Sequence, residues 1–352
     1  MDNPWQIRDG EEVLMQSGII IAETSGLAIG YPASRGSTNI VMKHLSLKAC
    51  KGELVALIGR NGTGKSTLLK TLVGLQPAIS GNIRLQGTEL NAIGPSLLPR
   101  VVSFTSTEPM AIRNIKVRDV IALGRFPFTN WIGTLSVEDE EAVSRAMEAT
   151  GLSELAGRSI DNISDGERQR TLIARSLAQD TGLLVMDEPT AFLDLPGRYT
   201  IVSLLRQLTR ERDKCVIYST HDLDTAINEA DRIWLMTGDG VSEGAPEDLI
   251  LNGDMARAFE SPLLSFSSSD CTFSFIRGRQ TAIAVEGEGL AARLTEKALG
   301  RRGYWTDPEA PLKVTVSMTS GKTEWIVSDS MKTDKYYSLY DLLGNLPREA
   351  GQ

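Results

Sequence analysis

Gly59-Arg60-Asn61-Gly62-Thr63-Gly64-Lys65-Ser66 sets three spaced glycines, a lysine and a hydroxyl into one short loop. That combination is the chemistry of a phosphate cradle. Glycines let consecutive backbone N–H groups converge on phosphate oxygens, and the start of the following helix adds positive potential. Lys65 can reach the outer phosphates as a point charge, Ser66 offers a hydroxyl to Mg²⁺, and Thr67 supports the inner phosphate. The loop follows the apolar run Leu54-Val55-Ala56-Leu57-Ile58 and precedes a helical pattern, Leu68, Leu69 and Leu72. A chance glycine turn would not carry the full pattern in that strand-to-helix setting.

A second apolar run, Leu183–Met186, stops at Asp187-Glu188. One carboxylate, Asp187, beside Ser66 and the phosphates is enough for a hard cation that keeps some of its water. Strand neighbours face opposite ways, so Glu188 is expected to point away from Asp187, where it can orient or deprotonate an attacking water. Alone, such a pair is more often a solvated strand end, and the upstream cradle is what favours chemistry. A third run, Cys215–Tyr218, stops at Ser219-Thr220-His221. His221 is expected to contact the γ-phosphate, whereas His44 reads as structural.

These residues need elements to position them. From Ile19 to about residue 260, unbroken apolar runs alternate with helical stretches, which predicts an α/β domain whose central strands are covered on both faces. Functional residues then fall at strand ends, where open α/β sheets bind ligands. Ser136 with Asp139 reads as a capping box opening a helix with Val143 and Met147 on one face. Residues from about 105 to 180 read as a helical subdomain inserted between sheet strands. The expected organisation is a polar tail over 1–18, a nucleotide-binding domain over 19–260, and a linker with a small α+β extension over 261–352. The serine-rich stretch 261–269 supplies the linker. In the extension, Leu290/Leu294/Ala298 has helical spacing with Gly300 as its stop, while Val314/Val316 and Trp325/Val327 alternate.

Across 352 residues the net charge is −8, which argues against a general nucleic-acid binder. No apolar run is long enough to span a bilayer, and the acidic N-terminus lacks a secretory pattern. Cys50, Cys215 and Cys271 lack metal-ligand spacing and read as buried or inert thiols.

Ile163-Ser164-Asp165-Gly166-Glu167-Arg168-Gln169-Arg170 resembles the signature of ABC transporter ATP-binding subunits, whose common form is Leu-Ser-Gly-Gly-Gln. Asp165 and Glu167 stand here in place of the first Gly and the Gln. The resemblance spans roughly residues 19–255. It implies a P-loop cassette, a central mixed or parallel sheet with a helical subdomain, hydrolysing ATP with Mg²⁺. It further implies that Ser164 and the Gly166 N–H hold the γ-phosphate of ATP on a second copy, completing a sandwich homodimer. Leu193-Asp194 resembles the loop linking the two sites, and Tyr31 the aromatic that stacks on adenine. The partners implied are separate transmembrane permease subunits at the cytoplasmic face of the inner membrane, with no nucleic acid and no other membrane contact.

Gly59-Arg60-Asn61-Gly62, Leu123-Gly124-Arg125-Phe126-Pro127 and Ser219-Thr220-His221-Asp222-Leu223 resemble ATPases of importers for ferric siderophores, haem or cobalamin. The segment from Arg113 to Phe128 is expected to receive the permease, with packing of Phe126 and Phe128 inside the subdomain as the alternative. One departure stands out. The family's Gln that touches Mg²⁺ and the lytic water is replaced by Thr107, next to Glu108, which implies slower or differently coupled hydrolysis. A soluble ABC-type ATPase on ribosomes or DNA, an exporter subunit, and a nucleotide-gated binding module remain open. The first usually carries two cassettes or a long coiled-coil insertion, absent here; exporters more often fuse the membrane domain to the cassette.

Overall fold

Six strands form the sheet that carries the loop from Gly59 to Ser66. The computed structural model describes residues 18–32, 38–106, 114–129, 133–267, 271–276, 281–319, 321–329 and 331–346. In spatial order the strands are Val241–Gly244, Arg232–Met236, Leu54–Gly59, Cys215–Ser219, Leu183–Met186 and Val102–Thr105. The last five run parallel and the first pairs antiparallel at the edge, so of the mixed or parallel sheet that the resemblance implied, the mixed form is the one present. Every residue of Leu54–Gly59, Leu183–Met186 and Cys215–Ser219 is buried, because the central strands are covered on both faces. Each fully buried Val, Leu or Ile contributes about 1.5–3 kcal/mol of transfer free energy.

The register explains the site. Gly59 pairs with Met236, Leu57 with Ser219, and Met186 with Tyr218. The carboxyl ends of the three central strands therefore finish along one edge and deliver Gly59, Asp187 and Ser219 together. A second sheet is antiparallel, with strands Thr38–Leu45, Ile20–Pro32, Ser80–Leu85 and Thr88–Glu89, and Lys48–Cys50 pairing alongside Ile20–Pro32. Leu27, Ile29, Leu45 and Leu47 from this sheet share a core with Val55, Leu57, Leu68, Leu72 and Trp234. That packing fixes the Tyr31 end of the sheet beside the phosphate loop.

Between Val102–Thr105 and Leu183–Met186 stand the helices Val117–Ala122, Val137–Ala149 and Asp165–Ala178. The Ser136/Asp139 capping box forms as read: Ser136 Oγ accepts from the Asp139 amide at 3.2 Å and Asp139 Oδ2 accepts from the Ser136 amide at 2.9 Å. Among the described residues no helix is long and apolar enough to cross a membrane.

The chain divides into two compact units, one through Phe259 and one from Glu260 onward, with Ser268–Thr272 grouped with the first. The second has a five-stranded sheet in the order Tyr304–Thr306, Thr281–Glu286, Lys313–Thr319, Lys322–Ser328 and Thr333–Tyr336, with helices Gly289–Gly300 and Leu339–Asn345. Ile283, Leu299, Val314, Val316 and Leu342 centre its core. One expectation needs correction here. Part of the serine-rich stretch, Leu264–Ser267, is a strand paired with Thr272–Phe275, and the Phe266 and Phe273 rings meet at 4.8 Å. In the helix Gly289–Gly300 the buried face is Ala292, Thr295, Ala298 and Leu299, while Leu290 and Leu294 are exposed. Small residues let that helix lie close to the sheet, and Trp325 Nε1 donates to Thr295 Oγ1 at 2.7 Å.

Candidate nucleotide site

The helix Lys65–Leu72 starts directly from the loop, with Gly64 as its N-cap at φ +102. A Cβ on Gly64 would fall 2.4 Å from Val41 Cγ1, and one on Gly59 would fall 2.3 Å from Met236 O. Both positions therefore need glycine for space as well as for backbone conformation. Lys65 is buried, and its Nζ donates to Gly59 O at 2.9 Å and Arg60 O at 3.2 Å. Burial pushes the Lys65 ammonium down from its usual range, opposed by the nearby Glu188 and Asp187 charges. Thr63 Oγ1 closes the loop on Arg60 O at 2.9 Å.

Tyr31 ends its strand half-exposed, and its hydroxyl shares a 2.7 Å hydrogen bond with Thr67 Oγ1. A cavity of about 340 Å³ is lined by Tyr31, Val41, Asn61, Gly62, Gly64, Lys65, Ser66, Thr67, Glu188 and His221. A larger cavity of about 580 Å³ lies along Tyr199, Arg206 and Arg210, but it carries neither a glycine loop nor a helix start.

Asp187 is buried at the strand end, with its amide donating to Thr105 O at 2.8 Å. Ser219 Oγ donates to Asp187 Oδ1 at 2.6 Å and accepts from the Glu188 amide at 2.8 Å. Glu188 then turns sharply at φ +48. Its direction is set by this left-handed turn and not by the strand alternation expected from sequence, because the strand ends at Met186. His221 Nε2 lies 2.7 Å from Glu188 Oε1. That is hydrogen-bond distance, so the imidazole and the carboxylate hold one another in place.

Among the described residues there is no cluster of three or more His, Cys, Asp or Glu that could hold a metal by itself. The Ser66 hydroxyl and the Asp187 carboxylate instead fit a hard cation that takes its other oxygens from phosphates and water. Thr107, the third expected metal contact, lies outside the described residues.

Ser164 and Gly166 do not line this cavity. Ser164 caps the helix Asp165–Ala178, and a Cβ built on Gly166 would meet only Leu193 Cδ2, at 3.9 Å. The start of that helix is open. Asp194 caps the helix Leu195–Arg212 by accepting from the Gly197 amide at 2.9 Å.

Residues 42–191 match the family model described as ABC transporter, and residues 279–347 match the model described as iron ABC transporter C-terminal domain. The ferric enterobactin transport ATP-binding protein of Escherichia coli is 37% identical, covering 60% of this chain and 78% of that protein. The iron(3+)-hydroxamate import ATP-binding protein of Bacillus subtilis is 32% identical, covering 67% of this chain and 87% of that one. This chain is an ABC transporter ATPase subunit. A dimeric ATP-binding cassette solved in a post-hydrolysis state with ADP and Pi shares the fold, with a TM-score of 0.56 at 24% identity over 64% of this chain and 99% of that one.

This ABC ATPase holds residues that sequence reasoning missed. Ser219 ties the Asp187 carboxylate to the amide of Glu188, and its signal was a small hydroxyl closing an apolar strand just before His221. Arg125, expected at a docking surface, is buried. It pairs with Asp139 at 2.7 Å, donates to Ala178 O at 2.9 Å and lies 3.9 Å from the centre of the Phe128 ring. The two aromatics divide: Phe128 packs under Arg125 and Arg100, while Phe126 is 73% exposed. Cys215 is buried as expected, whereas Cys271 is exposed.

Proposed function

We propose that this ATPase works as one half of a nucleotide-sandwich homodimer, beneath separate permease subunits at the cytoplasmic face of the membrane. Its cargo is an iron chelate or related complex: ferric siderophore, haem or cobalamin. The observation that carries this reading is the cavity. The phosphate loop, Tyr31, Glu188 and His221 line it, while the signature residues Ser164 and Gly166 stand elsewhere with an open helix start. A second copy supplies the missing wall with its own Ser164 and Gly166, and the D-loop residue Asp194 runs between the two sites. The dimeric cassette with ADP and Pi supports this arrangement. The enterobactin and iron-hydroxamate relatives, together with the iron ABC transporter match over residues 279–347, support the cargo.

In the closed dimer Gly59 to Gly64 turn backbone amides toward ATP, and Lys65 exchanges Gly59 O and Arg60 O for phosphate oxygens. Ser66 and Asp187 would hold Mg²⁺, which neutralises charge on the phosphates. Thr67 supports the inner phosphates, Tyr31 stacks on adenine, and Thr107 offers a further hydroxyl to metal or water. Glu188 accepts a proton from the attacking water, and His221 holds the Glu188 carboxylate in place and faces the γ-phosphate. Hydrolysis removes the group that joins the two copies, so nucleotide state shifts the population between closed and open dimers.

The test is the solution mass of Glu188→Gln with and without MgATP, alongside its hydrolysis rate. The expected result is a monomer that becomes a dimer with ATP, with hydrolysis down by roughly 10²–10⁴-fold. A chain that stays monomeric with ATP overturns the sandwich, and retained hydrolysis removes Glu188 from its role.

A further inference from the structure

Ser164 turns its hydroxyl back toward its own helix. Ser164 Oγ donates to Glu167 Oε2 at 2.9 Å, and the Ser164 amide donates to the same oxygen at 2.8 Å. The Glu167 amide returns a 3.3 Å bond to Ser164 Oγ. A serine hydroxyl has one proton to give. While that proton lies on Glu167 it is not offered to a phosphate oxygen.

The charge matters as much as the proton. The two Ser164 donors, amide first, hold the Glu167 carboxyl below the usual carboxylate range, helped by Arg170 and Arg158. Glu167 is therefore an anion at neutral pH, seated where the helix start would otherwise favour a ligand anion. Asp165, its neighbour, is answered within the chain by Arg168 at 3.4 Å.

We propose that Glu167 is a positioning residue that limits how tightly two copies close on ATP: it holds the Ser164 proton in the open chain and sets a negative charge beside the incoming γ-phosphate. The inference rests on the sandwich reading above. Closure then requires the Ser164 hydroxyl to rotate from its own carboxylate to the partner's nucleotide, against one like-charge contact. A glutamine at this position would keep the capping box, since Glu and Gln both serve there. It would remove the charge and compete less for the proton. Glu167→Gln should therefore close more readily than the native chain without loss of the helix.

The experiment is sedimentation equilibrium in MgATP on Glu188→Gln, with and without Glu167→Gln, each repeated with Ser164→Ala. Fluorescent-nucleotide titration of the monomers runs in parallel. Glu167→Gln is expected to tighten the dimer roughly tenfold, the size of one like-charge contact removed near water-like dielectric. The monomer's nucleotide affinity should stay unchanged. With Ser164→Ala present, Glu167→Gln should tighten the dimer by less, because the freed hydroxyl is gone and only the relief of like charge remains. An equal or weaker dimer for Glu167→Gln overturns the inference, as does the same gain without the Ser164 hydroxyl or an altered monomer affinity. If the Glu188→Gln parent itself stays monomeric, the sandwich reading falls and takes the inference with it. A dimeric parent indifferent to Glu167 rejects Glu167 alone.

Discussion

Ser219 Oγ lies 2.6 Å from Asp187 Oδ1, and the same hydroxyl receives the Glu188 amide at 2.8 Å. One atom on the neighbouring strand thus fixes both the Asp187 carboxylate and the turn that aims Glu188. Ser219 is completely buried, so water cannot replace its hydroxyl without a cavity.

Ser219→Ala is expected to lower kcat by roughly 10–100-fold, the usual cost of removing a group that orients a metal ligand. ATP affinity in the absence of metal should change little, because Lys65 and the loop amides are untouched. Single-turnover hydrolysis across a Mg²⁺ titration would show the loss, and an unchanged rate would mean that Asp187 holds its position unaided.

Gly64→Ala tests the cradle sterically. The new methyl falls 2.4 Å from Val41 Cγ1 at a backbone φ of +102. Strain of this kind costs on the order of 1–3 kcal/mol. A lowered urea midpoint together with lost nucleotide binding is the expected outcome. Binding at the native level would show that the loop relaxes around a side chain.

The Arg125–Asp139 pair predicts a stability effect far from the phosphates. Arg125→Ala leaves a buried carboxylate without its cation, which costs about 3–5 kcal/mol, read from the chemical denaturation midpoint. Burial raises the Asp139 carboxyl, yet bonds from the Ser136 amide and Arg125 together hold it below its usual range. A group with a depressed native pKa stabilises the fold above its unfolded pKa of about 3.9 and loses that contribution as pH falls through the native value. The native chain should therefore lose stability in acid more steeply than Asp139→Asn, and superimposable Tm–pH curves would contradict it.

Tyr31 separates ring from hydroxyl. Tyr31→Phe removes the 2.7 Å bond to Thr67 and keeps the ring proposed to stack on adenine, so nucleotide affinity should fall by less than about tenfold, within the ordinary net range for one hydrogen bond. Tyr31→Ala removes both and should weaken binding further. Equal effects in equilibrium titrations would mean that the hydroxyl alone matters.

The phosphate loop and the three central strands were legible because each signal is local: glycines, a lysine and unbroken apolar runs ending at polar residues. The Ser136 and Asp139 capping box was legible for the same reason. Ser219 was not, since its importance comes from the register that sets Cys215–Ser219 beside Leu183–Met186. Arg125 was misjudged because a charged residue next to aromatics reads as surface, and its pairing with Asp139, fourteen positions away, and its bond to Ala178 O hold it inside. The helix Gly289–Gly300 shows a further limit. Leucine spacing pointed to the helix and its Gly300 stop, but not to the buried face, where Ala292, Thr295, Ala298 and Leu299 lie.

Glu188 sits at φ +48, a conformation that glycine or asparagine adopts more comfortably than glutamate. The fold and the proposed chemistry thus want different residues at one position. A library selected for solubility or heat resistance alone should drift toward glycine or asparagine at 188, and those survivors should be hardier proteins that no longer turn over ATP. The same library selected for ATP turnover should hold glutamate there, with compensating stabilisation appearing elsewhere in the sheet.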